Sequence, residues 1–146
     1  MTRLAIRLVI IGVVVVGGLV FRDRLSGGAQ DLKVGDCFDS KHETTEIKDV
    51  QHHPCTEAHN AEVVLVTVHT AVKGSAYPSD AAFEAWADQT CVPAIVNYVA
   101  PGTDFQTLGY GIFYPNQSDW KDGERQMICY AMPAVPVTKS LHAGAS

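Results

Sequence analysis

The sequence predicts an α+β protein: one N-terminal transmembrane helix, then a small disulfide-bonded domain with a mostly antiparallel sheet and one or two helices. Three observations lead there. An uncharged apolar run, Leu8–Phe21, stands between Arg3 and Arg7 on one side and Arg22 and Arg24 on the other. All four cysteines, Cys37, Cys55, Cys91 and Cys129, follow that run. Beyond it, short strand-like apolar stretches give way once to helical spacing, after Ser79, and then resume.

The apolar run is 14 residues long, about 21 Å as a helix, short of the roughly 20 residues that cross ~30 Å of hydrocarbon. Leu4, Ala5 and Ile6 extend it to 18 residues when Arg7 runs its side chain back to the headgroups. The small residues suited to cleavage, Gly27 and Ala29, lie beyond the charged triplet Arg22-Asp23-Arg24. That order favours a retained signal anchor over a cleaved signal peptide. Arg3, Arg7 and the terminal amine have no acidic counterweight, so the N-terminus is expected in the cytoplasm. The expected product is a single-pass plasma-membrane protein, in the membrane through residues 4–21. Residues 1–21 form the cytoplasmic terminus and anchor, 22–31 a Ser/Gly-rich linker, 32–132 an extracytoplasmic domain and 133–146 a flexible tail.

From Asp23 onward there are 8 Lys and Arg against 16 Asp and Glu, a net charge of -8 with histidines neutral. Such acidity argues against nucleic acid as a partner, because phosphate backbones select clustered Lys and Arg. An even number of cysteines delivered to an oxidising compartment reads as two disulfides, for which three connectivities exist. Sequence alone does not choose among them. The sequential pairing Cys37 to Cys55 and Cys91 to Cys129 is preferred because it joins neighbouring elements of the layout below. In the chain-entropy account, loops of those sizes contribute about 3 and 4 kcal/mol.

Leu32–Phe38 and Glu46–His52 read as short strands on either side of a polar loop. Val63–Val68, VVLVTV, is apolar on both faces and is expected at the middle of the sheet. Ser79 and Asp80 are suited to cap a helix whose stripe is Phe83, Trp86, Ala87, Thr90 and Cys91. Pro93 is expected to end or kink it, with a second short helix over Ile95–Val99. Thr107–Tyr114 and Arg125–Met132 complete the strands around a loop over Pro115–Gly123. Met127, Cys129 and Ala131 share one face of the last strand.

His52, His53, Cys55 and His59 bring imidazole and sulfur donors within eight residues, a set that Zn(II) or copper uses. No CxxC or HExxH frame accompanies them, and a disulfide at Cys55 removes its thiolate. The favoured reading is therefore no metal and no cofactor, with His53, Cys55 and His59 as the alternative metal ligands. Nucleophilic catalysis lacks a GxSxG elbow. Asp36, Asp39, Glu57 and Glu62 could pair as acid and base for sugar cleavage, against a simpler reading as a solvated acidic surface. Trp86 reads as core. Trp120, in a loop between Asp119 and Asp122, reads as a possible contact surface. Asn116-Gln117-Ser118 is a glycosylation sequon.

A series of motifs carries a family resemblance: Val34-Gly35-Asp36-Cys37-Phe38, then Cys55 with His59 and Glu62 in CTEAHNAEVV, then Tyr77-Pro78 and Cys91. Pro115, Trp120, Gly123-Glu124-Arg125 and Cys129 in PNQSDWKDGERQMIC complete it. Over roughly Leu32 to Tyr130 this order resembles the septum formation domain family of actinobacterial exported or membrane-anchored proteins. The resemblance implies a cell-envelope role connected with septation, fits two disulfides, and brings no enzymatic activity. Gly123-Glu124-Arg125 stands where the family has Gly-Asp-Arg, and Asn60 follows His59 where Asp is common. His59 and Glu62, with Arg125, are expected to be structural polar residues, since polar groups near buried disulfides need partners. The expected function is then non-catalytic, through contacts with envelope or division proteins. A metal-binding envelope protein is the alternative, and a polysaccharide hydrolase ranks below it.

Overall fold

A computed structural model of the protein describes residues 26–40 and 50–144. The expected membrane anchor lies outside the described residues, and among those described no helix is long and apolar enough to cross a membrane. The elements are β1 (Ser26–Gly27), β2 (Cys37–Phe38), β3 (Val50–His53), β4 (Ala61–Val68), α1 (Asp80–Tyr98), β5 (Leu108–Phe113), α2 (Gln117–Asp122) and β6 (Gln126–Pro133). The strands form one sheet in the order β1-β3-β2-β4-β6-β5, curled as a half-barrel, with every pairing antiparallel. The expected α+β class, antiparallel sheet and two helices are all present.

β4 lies inside the sheet between β2 and β6, as its two-sided apolar run requires. Its register with β6 shifts between Val63 and Leu65, so Val64 is the extra residue of a β-bulge. Val64 and Leu65 consequently both join the cluster beneath α1, with Ala87, Cys91, Ile95, Cys129 and Ala131. Val63 joins the opposite cluster with Phe38, Phe113, Ile128 and Tyr130. The first expected strand shrinks to Cys37–Phe38. Asp36 N–H donates to the Lys33 carbonyl, Lys33 N–H donates to the Asp36 carboxylate, and Gly35 has φ +93°, which together turn the chain just before Cys37.

α1 runs unbroken over 19 residues, through Pro93, so the expected break and second helix merge into one. Pro93 is exposed, and the carbonyl it leaves without an intrahelical donor can be met by water. Phe83, Ala87, Cys91 and Ile95, spaced by four, bury one row of this helix on the sheet. The expected loop over Pro115–Gly123 contains α2. Asn116 Oδ1 accepts from the N–H groups of Ser118 and Asp119, and Gly123 closes the helix at φ +108°. That cap commits the amide of the glycosylation sequon.

The C-terminal segment is not the expected frayed tail. His59 and Val137 exchange two backbone hydrogen bonds of 2.9 Å, Ala100 N–H reaches the Leu141 carbonyl, and Ala143 N–H reaches that of Tyr98. Residues as far as 143 are thus tied to His59, just before β4, and to the end of α1. Every non-proline residue keeps a backbone donor and acceptor whatever its side chain, so an Ala/Gly/Ser-rich composition does not prevent such pairing.

Tyr130 lies over Gly111 across the β5–β6 ladder, and a Cβ at Gly111 would stand only 2.3 Å from Cζ and Oη of Tyr130. The ring is held in turn by Phe38 and Phe113 at 5.3 and 4.7 Å between centroids. It has nowhere to retreat. Gly111→Ala is therefore expected to destabilise by about 2 kcal/mol through overpacking, read as a lower urea midpoint with unchanged slope.

Candidate functional site

The residues singled out in the sequence separate into two groups at opposite ends of the β4–β6 ladder, in which Glu62 pairs with Ala131 and Val68 with Gln126. At the first end, Cys37 of β2 stands opposite both His53 and Glu62. Cys37 is disulfide-bonded to Cys55, and Cys91 to Cys129, with Cα separations of 5.2 and 5.4 Å. This is the sequential pairing. The second bridge joins α1 to β6 with both cysteines fully buried, so it crosses the layer between helix and sheet.

Glu62 is fully buried and accepts three hydrogen bonds. Tyr98 Oη and Ser140 Oγ donate to Oε1 at 2.7 and 2.5 Å, and Leu141 N–H donates to Oε2 at 2.6 Å. One carboxylate therefore fastens β4, the last turn of α1 and the C-terminal segment to each other. Sequence reasoning missed all three donors. Tyr98 lay within the apolar helical pattern, and Ser140 and Leu141 lay in a segment that composition marked as loose.

His59 is likewise fully buried. Its Nδ1 is 2.9 Å from the Glu57 carbonyl, which can only accept, so Nδ1 carries a proton and, in the neutral ring, the free lone pair is on Nε2. Nε2 is buried without a hydrogen-bond partner among the described residues. A ring nitrogen of His59, both sulfurs of the Cys37–Cys55 bridge and an oxygen of Glu62 all lie within 4.8 Å of one another. His53 stands apart from this group. Its Nε2 is 3.5 Å from the Asp39 carboxylate, and its ring centroid is 6.2 Å from that of His59.

The expected partnership of Arg125 with His59 and Glu62 is not formed, because Arg125 sits at the far end of the ladder. There its guanidinium, nearly buried, donates to the carbonyls of Ala71, Val72, Trp120 and Glu124 at 2.6–3.0 Å. It also lies 3.8 Å over the Trp120 ring. Trp120 is only 1% exposed and donates from Nε1 to the Ser75 carbonyl, so the expected contact residue is core. Phe83, Tyr77 and His69 ring it at 5.9, 5.9 and 5.2 Å. Beside it opens a shallow cleft of about 500 Å³ bounded by Gly74, Ser75, Tyr77, Gln117, Ser118 and Lys121. No carboxylate or imidazole lines that cleft. Of the carboxylates considered for sugar cleavage, Glu62 is sealed from solvent and Asp36 accepts from the Lys33 N–H.

The phenols respond to this arrangement. Burial, then the hydrogen bond to Glu62, pushes the Tyr98 pKa well above 10. Burial also raises that of Tyr130, and the bond to Asp88 is the first cause of a rise at Tyr110. A raised folded-state value means that the folded protein holds its protons more tightly than the unfolded chain. That stability is complete below about pH 10 and is lost as pH rises beyond it. Alkaline unfolding is therefore expected to steepen above about pH 10, and Tyr98→Phe should flatten that limb in a pH series of urea midpoints.

Neither a curated protein nor a solved structure matches the chain. A family model described as "Septum formation" matches residues 34–143, a span that includes both disulfides, His59, Glu62, Arg125 and the docked C-terminal segment. The chain belongs to the septum formation family.

Proposed function

We propose that this is a non-catalytic, membrane-tethered extracytoplasmic domain that serves septation by contact with envelope or division proteins. Its family description suggests the septation-related role. The observation that carries the tether and the compartment is the pairing of an apolar, basic-flanked N-terminal run with two intramolecular disulfides in the domain behind it. The buried polar residues support a non-catalytic reading. Glu62 and Arg125 spend their hydrogen bonds on the protein's own segments, and the open cleft beside Trp120 holds no acid–base pair.

In-cell crosslinking followed by tagged pull-down from membranes tests this directly. A reproducible envelope or division protein in the crosslinked species is the expected result. Recovery of a mature chain that begins near Gln30, in the soluble fraction, would remove the tether.

A further inference from the structure

We propose that Cys37, Cys55, His59 and Glu62 form a latent zinc site, closed while the cysteines are bridged and opened by reduction with a dithiol. Four donors of the types zinc prefers, two sulfurs, one imidazole and one carboxylate, already lie within 4.8 Å of one another. The S–S bond prevents binding, since a ligating sulfur must be a thiolate.

His59 supplies the observation that points to a ligand. Its Nδ1 proton is held by the Glu57 carbonyl while the fully buried Nε2 has no partner among the described residues. That is the tautomer and the second contact typical of a metal-bound histidine. Glu62 is prepared in the same way. Tyr98, Ser140 and the Leu141 N–H fix its carboxylate, and Oε2 accepts only one of those three bonds, which leaves it a lone pair. A tetrahedral zinc with bonds near 2.0–2.3 Å needs sulfurs about 3.8 Å apart, a separation that opens once the bridge is cleaved.

Reduction balances as follows. A dithiol attacks the Cys55 sulfur, the more exposed of the pair, and displaces the Cys37 thiolate. The second thiol of the reductant closes its own disulfide, so two electrons and two protons pass to the protein. Zn(II) then replaces the two thiol protons, which go to solvent. Without metal, the Gly35 carbonyl, 3.9 and 3.5 Å from the two sulfurs, can accept from the new thiols. The Cys91–Cys129 bridge is unsuited to the same chemistry. Both of its sulfurs are enclosed by apolar residues of α1, β4 and β6.

The test uses the full chain in detergent, reduced anaerobically with a water-soluble phosphine, freed of reductant, and given one equivalent of Zn(II). Alkylation read by mass spectrometry should then label Cys37 and Cys55 without zinc and spare them with it, while Cys91 and Cys129 stay bridged throughout. Co(II) in place of zinc should give a thiolate-to-metal absorption band. His59→Gln should weaken zinc binding by about tenfold or more. Labelling of Cys37 and Cys55 that zinc does not suppress would overturn the proposal. So would equal zinc affinity in the oxidised chain. Should His59→Gln fail to fold, the labelling pattern of the unmodified chain decides the question by itself.

Discussion

Glu62→Gln is expected to lower the stability of the domain by about 3–5 kcal/mol and its melting temperature by roughly 15 °C. The carboxylate accepts from three donors on two other segments and is wholly removed from water. An amide of the same shape accepts through one oxygen only. Its NH₂ must then face either the Leu141 N–H or the hydroxyls of Tyr98 and Ser140, and the hydroxyls can turn while the backbone N–H cannot. The substitution thus exchanges charge-assisted hydrogen bonds for neutral ones and makes the Tyr98 and Ser140 hydroxyls turn away from the acceptor they share, in a site that water does not reach. Because Glu62 joins β4 to both α1 and the C-terminal segment, the loss should be visible locally before it is visible globally. Amides of Leu141 and Ala143 should exchange with solvent faster in the variant. Tyr98→Phe, which removes one donor and leaves the carboxylate two, is expected to cost only about 1 kcal/mol. Thermal unfolding by circular dichroism separates the two; an unchanged melting temperature for Glu62→Gln would exclude the structural role of the carboxylate.

The parts of this architecture that rest on periodicity were legible in the sequence. The continuous apolar run of β4 places it inside the sheet, the helical row through Phe83, Ala87 and Cys91 puts Cys91 on the face of α1 that packs on the sheet, and alternation on β6 turns Cys129 inward to meet it. Those two faces bring the second disulfide together. Pairings between remote segments left no such trace. The sequence marks Glu62 as a structural polar residue in company with His59 and Arg125, whereas its partners are Tyr98, Ser140 and Leu141, separated from it by 36 to 79 positions. Trp120 was misplaced for a related reason. Its acidic neighbours Asp119 and Asp122 suggest a wet loop, but a six-residue helix capped by Asn116 and Gly123 turns the indole inward while those neighbours stay at the surface. For the candidate metal ligands, spacing along the chain favoured His53 with Cys55 and His59. Strand register instead brings Cys37 and Glu62 to that pair, and His53, though also opposite Cys37, points its Nε2 at Asp39.

Arg125→Met is the substitution expected to do comparable damage at the opposite end, about 3–4 kcal/mol, by the same physics with the sign of the charge reversed. The guanidinium has no carboxylate partner among the contacts described above; it is neutralised by dipoles, four carbonyls from Ala71, Val72, Trp120 and Glu124. Methionine fills much of the same volume and retains a contact with the Trp120 face, so the loss measures the four carbonyls left without a donor rather than a cavity. Arg125→Lys should recover part of it, since an ammonium supplies three donors but neither the planar fork nor the stack at 3.8 Å. Two further readouts separate this local account from general destabilisation. The Trp120 emission should shift to the red as the Ser75 and Ala71 segment loosens around the indole. His69 provides the other: its pKa is depressed first by burial and next by the Arg125 charge, so removing that charge should raise it in an NMR titration. A depressed histidine value contributes stability that is present above about pH 6.5 and is lost as pH falls. The methionine variant should accordingly lose less of its remaining stability between neutral pH and pH about 5 than the parent does. Unaltered titration of His69 in a folded Arg125→Met chain would show that burial alone sets its value.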